Sequence, residues 1–358
     1  PGAMVIVTGC YSHLEPDEVS GIEGVGIVIP NDQKDSIPDV VRARFNLTQI
    51  VNSTSLIKTK RMRTRAVVKV QDGCDNYCSY CVIPYARSVM SSRPINEVIN
   101  EVKMLVDSGF REIVLTGIRL GSYRWEDVGV GDLVRACADV DGIGRVRMSS
   151  IEPWEVSSNL LDAMLSDKVC RHLHIPLQSG DDITLDRMNR RYNSHDYLAL
   201  LDKVRSFIPG IGITTDVIVG FPGEDDLAFE RSMNTVRSAQ FSRLHIFRYS
   251  PRKHTRASEM PDQVPENLKQ ERSAKLDALG LDMKVSFAKS WINKQLPVLV
   301  ETQPKGEEHL GGYADNYVEV RLPLQTGLKN HIVNVYVDDV DEKGIATGHI
   351  VNGDNSEA

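Results

Sequence analysis

The sequence predicts an α/β protein: a partial barrel of about six βα units, followed by a small antiparallel β-barrel and preceded by the remnant of another α/β domain. Three observations predict it. Short β-branched runs alternate with longer amphipathic segments from about Ala66 onward. A long charged helical segment closes that series. Beyond Asn293 the texture changes to short strands separated by glycine-containing turns.

The elements follow in order. Before Ala66, "VIVTGC" and the helical and strand-like pieces after it resemble part of an α/β unit too small to stand alone. "AVVKV" reads as the first strand of the series. "INEVINEVKMLVDSGF" carries apolar residues at helical spacing and stops at a glycine. "EIVLTGI" is a continuous apolar run suited to a strand buried on both faces. "RVRMSS", "HLHIPL", "GITTDVIVG" and "RLHIFRY" read as further strands, with "WEVSSNLLDAMLSD", "HDYLALLDKVRSF" and "DLAFERSMNTVRSAQ" as the helices between them. "ENLKQERSAKLDALGLDMKVSFAKSWI" is the closing helix. "LPVLVE", "NYVEVRL", "HIVNVYV" and "GIATGHIV" supply the last barrel. The division expected is 1–60 for the remnant, 61–293 for the βα series and 294–358 for the small barrel.

At 358 residues, 41% apolar and 25% charged, the chain can bury a large core as a globular protein. It holds no run of the roughly 20 apolar residues that a membrane span needs, and "PGAMVIVTGC" lacks the marks of a signal peptide, so a cytoplasmic protein is expected. A start at Pro1 fits a fragment with something missing upstream. The net charge of -7 is unfavourable for a nucleic-acid partner, yet basic residues cluster locally. Lys58, Lys60, Arg61, Arg63, Arg65 and Lys69 lie in one run, and Arg243, Arg248, Arg252, Lys253 and Arg256 in another. Each reads either as a solvated face or as a phosphate contact.

Six cysteines are too few for a disulfide scaffold in a chain this long. Three fall in "GCDNYCSYCVIPYAR", at Cys74, Cys78 and Cys81, on the loop after the first strand of the series. Ligands of such folds bind at the C-terminal ends of the strands, which is where this loop sits. A structural zinc takes four protein ligands, and no fourth is close by. A disulfide would leave one thiol over. Spacing and context favour a 4Fe-4S cluster held at three irons, with zinc or simple packing as the alternatives. Cys137 and Cys170, in helix and helix-end segments, read as buried small hydrophobes.

The motif C-x3-C-x-aromatic-C, with Tyr80 at the aromatic place, resembles the signature of radical S-adenosylmethionine (SAM) enzymes. The likeness runs along nearly the whole chain. "IVLTGIRLGSY", "RMSSIEPWE", "HLHIPLQSGDDITLDRMNRRY", "TTDVIVGFPGE" and "HIFRYSPRKHTRASEMPDQV" resemble the successive blocks of the methylthiotransferases, and "GGYADNYVEV" resembles the core of their C-terminal RNA-binding TRAM domain. "PLQSGDD" and "YSPR…MPDQV" are most similar to the MtaB branch, which modifies threonylcarbamoyladenosine beside the tRNA anticodon.

That resemblance implies a radical SAM half-barrel in which one electron from a 4Fe-4S cluster cleaves SAM to a 5'-deoxyadenosyl radical. It implies methylthio transfer to a tRNA anticodon loop, a second 4Fe-4S cluster in the intact protein, an electron donor such as flavodoxin or ferredoxin, and a sulfur donor. Cys74, Cys78 and Cys81 would ligate the SAM cluster, and backbone around Tyr80 would meet the adenine. Thr116 and Gly117 would contact the methionine ammonium. Glu152 and Gln178 would meet the polar ends of SAM, and Asp216 and Gly220 its adenine side. Read without the resemblance, Glu152 is an ordinary acid at a helix N-terminus, and Gly220 and Gly223 are turn glycines. Cys10 would be the third ligand of the second cluster, its two partners lying upstream; read alone it is a buried core thiol.

The chain departs from the family in two places. Ser88 stands where the family has glycine, leaving Arg87 and Arg93 as the charges of "YARSVMSSRP". From Lys294 onward five Lys/Arg face eleven Asp/Glu, a net of -6, which suits RNA poorly. The acidic balance favours a competing substrate within the same chemistry, an aspartate of a basic ribosomal protein. A non-catalytic RNA-binding iron-sulfur protein is the third reading.

Overall fold

The computed structural model describes residues 3–45, 64–302 and 309–351. Its centre is a curved wall of six parallel strands: β3 (Arg65–Asp72), β4 (Glu112–Gly117), β5 (Arg145–Met148), β6 (His172–His174), β7 (Gly212–Val219) and β8 (Arg243–Arg248). The β3–β4–β5 and β6–β7–β8 groups meet through a bridge between Val146 and Val169. "AVVKV", "EIVLTGI" and the four runs quoted after them all contribute strands, in the expected order. Among the described residues, no helix is long and apolar enough to cross a membrane.

Alternation along the strands explains the wall. Val68 and Val70 on β3, Ile113 and Leu115 on β4, and Val146 and Met148 on β5 face the surrounding helices and are at most 2% exposed. The opposite set, including Glu112, Thr116, His172, His174, Thr214, Asp216 and His245, faces the hollow of the half-barrel. Helices cover the outer face: α2 (Ile95–Asp107) buries Val98, Val102 and Val106 at a spacing of four residues and ends before Gly109 at φ +90°. The segment 154–167 is helical only over Ser158–Ala163, because Ser157 accepts from the Leu160 N–H and caps a new start there. The closing helix α3 (Glu266–Lys289) approaches β8 closely at Gly280, where an added Cβ would lie 3.2 Å from Leu244 Cδ1. β8 is the free edge of the wall, with Leu244 and Ile246 packed against the core and Arg243, His245 and Phe247 exposed.

The last region is a closed barrel in the order β9 (Gln295–Thr302), β10 (His309–Ala314), β11 (Glu319–Pro323), β13 (Ile345–Ile350), β12 (Ile332–Val340). Strand β10 is an addition to the four runs read above; its "LGG" is a poor strand signal, but Gly312 lies so close to β9 that a Cβ would meet Leu299 O at 2.4 Å. The turn between β10 and β11 reaches under the half-barrel. Tyr317 stacks on His172 with centroids 4.5 Å apart, and the Arg147 guanidinium lies 4.6 Å from the Tyr317 ring.

Arg145 donates to the carbonyls of Pro297 and Tyr313, and Arg147 to those of Asp315 and Ala314, at 2.9–3.1 Å. Both guanidiniums also hold Glu112, which is fully buried. Burial raises the Glu112 carboxyl, but Arg147, Arg145 and Arg65 more than reverse this and hold it at about 2.

At the other end of the chain, β1 (Val5–Gly9) and β2 (Val25–Pro30) pair in parallel, and α1 (Cys10–Leu14) packs on the short helix Ile83–Ala86 of the cysteine loop. Lys253 and His254 bind Glu15 and Glu18 there, so part of the second basic run is neutralised within the chain. Arg248 pairs with Glu266. Of the first basic run, Lys58, Lys60, Arg61 and Arg63 lie outside the described residues.

Candidate active site

The cysteine loop leaves the top of β3 through Gly73, which has φ +84° and where a Cβ would stand 2.2 Å from Val89 O. Only glycine fits that approach. Gln71 fixes the turn, donating to the carbonyls of Asp72 and Gly73 while its Oε1 accepts the Arg119 N–H at 2.8 Å. Cys74 N–H donates to Arg87 O, and Cys81 N–H to Cys78 O.

All three thiols are free and partly exposed. Burial pushes the Cys81 thiol up to about 11 and raises that of Cys74, so without a metal both stay protonated. Donors are already aimed at the sulfurs: the Asn76 N–H at Cys74, the Ile83 N–H at Cys81, and Arg190 Nη1 at Cys78, 3.3 Å away. Three free thiols on one loop, each with a hydrogen-bond donor at its sulfur, are the ligand type that iron-sulfur clusters take. The donor set fits a 4Fe-4S cluster.

A charged shelf lies beside the loop. Glu152 is gripped by both terminal guanidinium nitrogens of Arg190, whose side chain is 1% exposed and lies between Trp154 and Tyr192 at 5.1 and 5.2 Å. Asn76 Nδ2 reaches Glu152 Oε1 at 3.4 Å. Glu152 also precedes the turn Pro153–Glu155, so its helix-terminal and site readings coincide. Burial pushes Glu155 up to about 7 even though Arg119 pulls it down. Three buried polar atoms on this shelf, Asn76 Oδ1, Ser149 Oγ and Trp154 Nε1, have no partner within the protein. A ligand with polar groups has places to bond there.

The remaining predicted residues line the same end. Thr116 and Gly117 finish β4, with Gly117 against Gln71. Gln178, at φ +65°, donates its N–H to Asp216 O at 2.8 Å and continues the line of β6. Tyr80 is half-buried against Met188, Phe221, Tyr249 and Ala257. Gly220, at φ +70°, donates to Glu224 Oε1, and a Cβ there would collide with Lys269 Cγ at 2.2 Å. The Asp216 carboxylate instead turns to His174 and His245 in the hollow.

Cys10 is partly exposed at the start of α1, and its sulfur accepts from Arg87 Nε at 3.2 Å. Arg87 also pairs with Asp72, tying Cys10 to the base of the cysteine loop. Arg93 is taken up by Glu101 and the Lys69 carbonyl. Cys137 and Cys170 are buried, as expected. Arg190, Asn76 and Arg119 went unread in the sequence; an arginine pair in "NRRY" is the only trace of Arg190, and residue type alone does not distinguish a buried guanidinium from a surface one.

Residues 68–236 match the model of the Radical SAM superfamily. The chain is 37% identical over 356 residues to the threonylcarbamoyladenosine tRNA methylthiotransferase MtaB of Bacillus subtilis, covering 94% of this chain and 79% of that one. It is 40% identical to the MtaB of Thermotoga maritima over 88% of this chain and 75% of that protein. A tRNA-2-methylthio-N(6)-dimethylallyladenosine synthase of Endomicrobium trichonymphae is 34% identical over 86% and 73% of the two chains. The chain belongs to the radical SAM methylthiotransferases. As a radical SAM methylthiotransferase it uses a 4Fe-4S cluster and SAM.

Proposed function

We propose that this methylthiotransferase adds a methylthio group to threonylcarbamoyladenosine next to the tRNA anticodon. The observation that carries the reading is the 37–40% identity, over most of the chain, to two relatives named for that reaction. The relatives compared above all carry tRNA in their names, which favours tRNA over a ribosomal protein and an enzyme over a passive binder. When bound, the cluster and SAM supply the electron and the organic radical that the reaction needs.

The chain's own residues position and exclude. In this reading Cys74, Cys78 and Cys81 hold the cluster, and Arg190 steadies Cys78. Backbone at Tyr80 and Gly220 borders the adenine, while Thr116 and Gly117 receive the methionine ammonium. Glu152, shared with Arg190, and Gln178 take the polar ends of SAM, and Asp216 acts through its carbonyl, which holds Gln178. Cys10 serves the second cluster. Residues 61–293 carry the chemistry, and the target base leaves its stack to enter the hollow, because an atom inside the stack is out of reach. A flavodoxin or ferredoxin supplies electrons in the cytoplasm, and a separate donor supplies sulfur.

The test is a digest of total tRNA from cells lacking the gene, compared by mass spectrometry with parent and complemented strains. Loss of the methylthio mass from threonylcarbamoyladenosine, restored on complementation, is expected. An unchanged profile in a parent that expresses the enzyme would overturn the tRNA assignment.

A further inference from the structure

A second set of ligating side chains sits in the hollow, on strands that do not carry the cysteines. β6, β7 and β8 are adjacent and parallel, and their register sets Thr214 opposite His174 and Asp216 opposite His245. His174 Nε2 lies 3.2 Å from Asp216 Oδ1, and His245 Nδ1 lies 3.4 Å from the same oxygen. One donor atom from each of the three falls within 4.8 Å of the others, and the two imidazoles stack with centroids 5.4 Å apart. Among the described residues this is the one group of histidine, cysteine and carboxylate side chains that converges so closely.

The surroundings hold the His174 ring as metal sites hold theirs. His174 Nδ1 is 2.9 Å from Thr214 Oγ1, which is in turn 3.0 Å from His172 Nε2. An outer partner on the second ring nitrogen fixes tautomer and orientation, and leaves the first nitrogen for a cation. The side chains grade from wall to hollow, with His174 11% exposed, Asp216 26% and His245 43%. A cation between them would be held from one side only. Two imidazoles and a carboxylate on one face, with positions open opposite, make a donor set for divalent iron, cobalt, nickel or zinc, and a poor one for magnesium or calcium.

We propose that His174, Asp216 and His245 bind one divalent first-row transition-metal cation, separate from the iron-sulfur cluster, with its open positions facing the hollow. The cation clips the free edge strand β8 to its neighbours and offers a water, or an oxygen of a bound substrate, a place in the hollow below the cysteine loop.

The test uses the cluster-loaded protein, dialysed anaerobically against low-micromolar free zinc, with zinc and iron counted per chain by mass spectrometry. One zinc per chain above the iron is expected. Asp216→Asn and His245→Ala should retain roughly tenfold less or lower, with iron content and circular dichroism unchanged. His245 is half exposed, so its replacement leaves the core intact. A wild-type protein that holds no zinc, or variants that hold as much as wild type, would show that the three side chains form only a hydrogen-bonded triad. Zinc gained at the expense of iron would place it on the cysteines and equally overturn the site. Metal content is read without any methylthio transfer, so failure here and failure of the substrate assignment are distinguishable.

Discussion

The two ends of the half-barrel are built from the same strands and treat charge in opposite ways. At the lower end Arg65, Glu112, Arg145 and Arg147 lie on β3, β4 and β5, and their charged groups are taken up by one another, by the Glu301 carboxylate or by backbone of the last barrel. At the upper end burial holds the Cys74 and Cys81 thiols protonated, and Asn76, Ser149 and Trp154 keep polar atoms without partners. The lower end has its charges paired within the protein, although His172 Nδ1 is left without a partner. The upper end is complete only with guests, and a buried unsatisfied atom costs about 1–3 kcal/mol until one arrives. Buried polar atoms without partners occur elsewhere too, at His172, Arg272, Trp291 and Asn330, so what marks the upper end is their gathering beside three free thiols.

Four changes would break or sharpen this contrast. The largest effect is expected from Cys78→Ser at the upper end: iron binding and SAM cleavage fall to background while thermal unfolding stays near wild type, because the fold does not depend on that thiol. Unfolding well below wild type would mean that the upper end, too, is part of the protein's own framework. Glu112→Gln at the lower end should do the reverse, costing about 3–5 kcal/mol in denaturant unfolding by leaving buried guanidiniums unpaired. Retained stability there would show that the arginines are adequately served by carbonyls alone.

The same carboxylate predicts an acid limb. Its folded value of about 2 lies below the ordinary 4.5, so its contribution is complete above pH 4.5 and is lost as pH falls towards 2. That amounts to about 3 kcal/mol by linkage, and Glu112→Gln should flatten that part of the stability profile. An unchanged slope in the variant would assign acid unfolding to other groups. The smallest effect is expected from Arg190→Gln, which removes the donor to Cys78 and the partner of Glu152: turnover should drop roughly tenfold with iron content retained. Equal turnover would confine Arg190 to packing between Trp154 and Tyr192.

The order of elements was legible because parallel strands covered on both faces leave unbroken apolar runs, as in "EIVLTGI", and because helices such as Ile95–Asp107 repeat valine every fourth residue. The cysteine loop stood out by its spacing and by its place after the first strand of the series. Of the shelf only Glu152 was read, since its partner Arg190 lies 38 residues away and a paired guanidinium leaves no periodic mark. The convergence of His174, Asp216 and His245 was likewise hidden, because it depends on strand register rather than on any one segment. "GGYADNYVEV" was read as an RNA-binding core, yet its Asp315–Tyr317 turn is spent on the underside of the half-barrel, where Arg171 holds Asp315 and His172 stacks on Tyr317.

That turn constrains how such proteins can be recombined. The last barrel looks like a detachable module, with its own core and a closed sheet. Its Asp315–Tyr317 tip nevertheless serves as the stopper of a neighbouring vessel, keyed to Arg147, Arg171 and His172. A chimaera that grafts a foreign C-terminal barrel onto this half-barrel inherits a leak unless the stopper and its three contacts travel together, whatever the graft does for RNA.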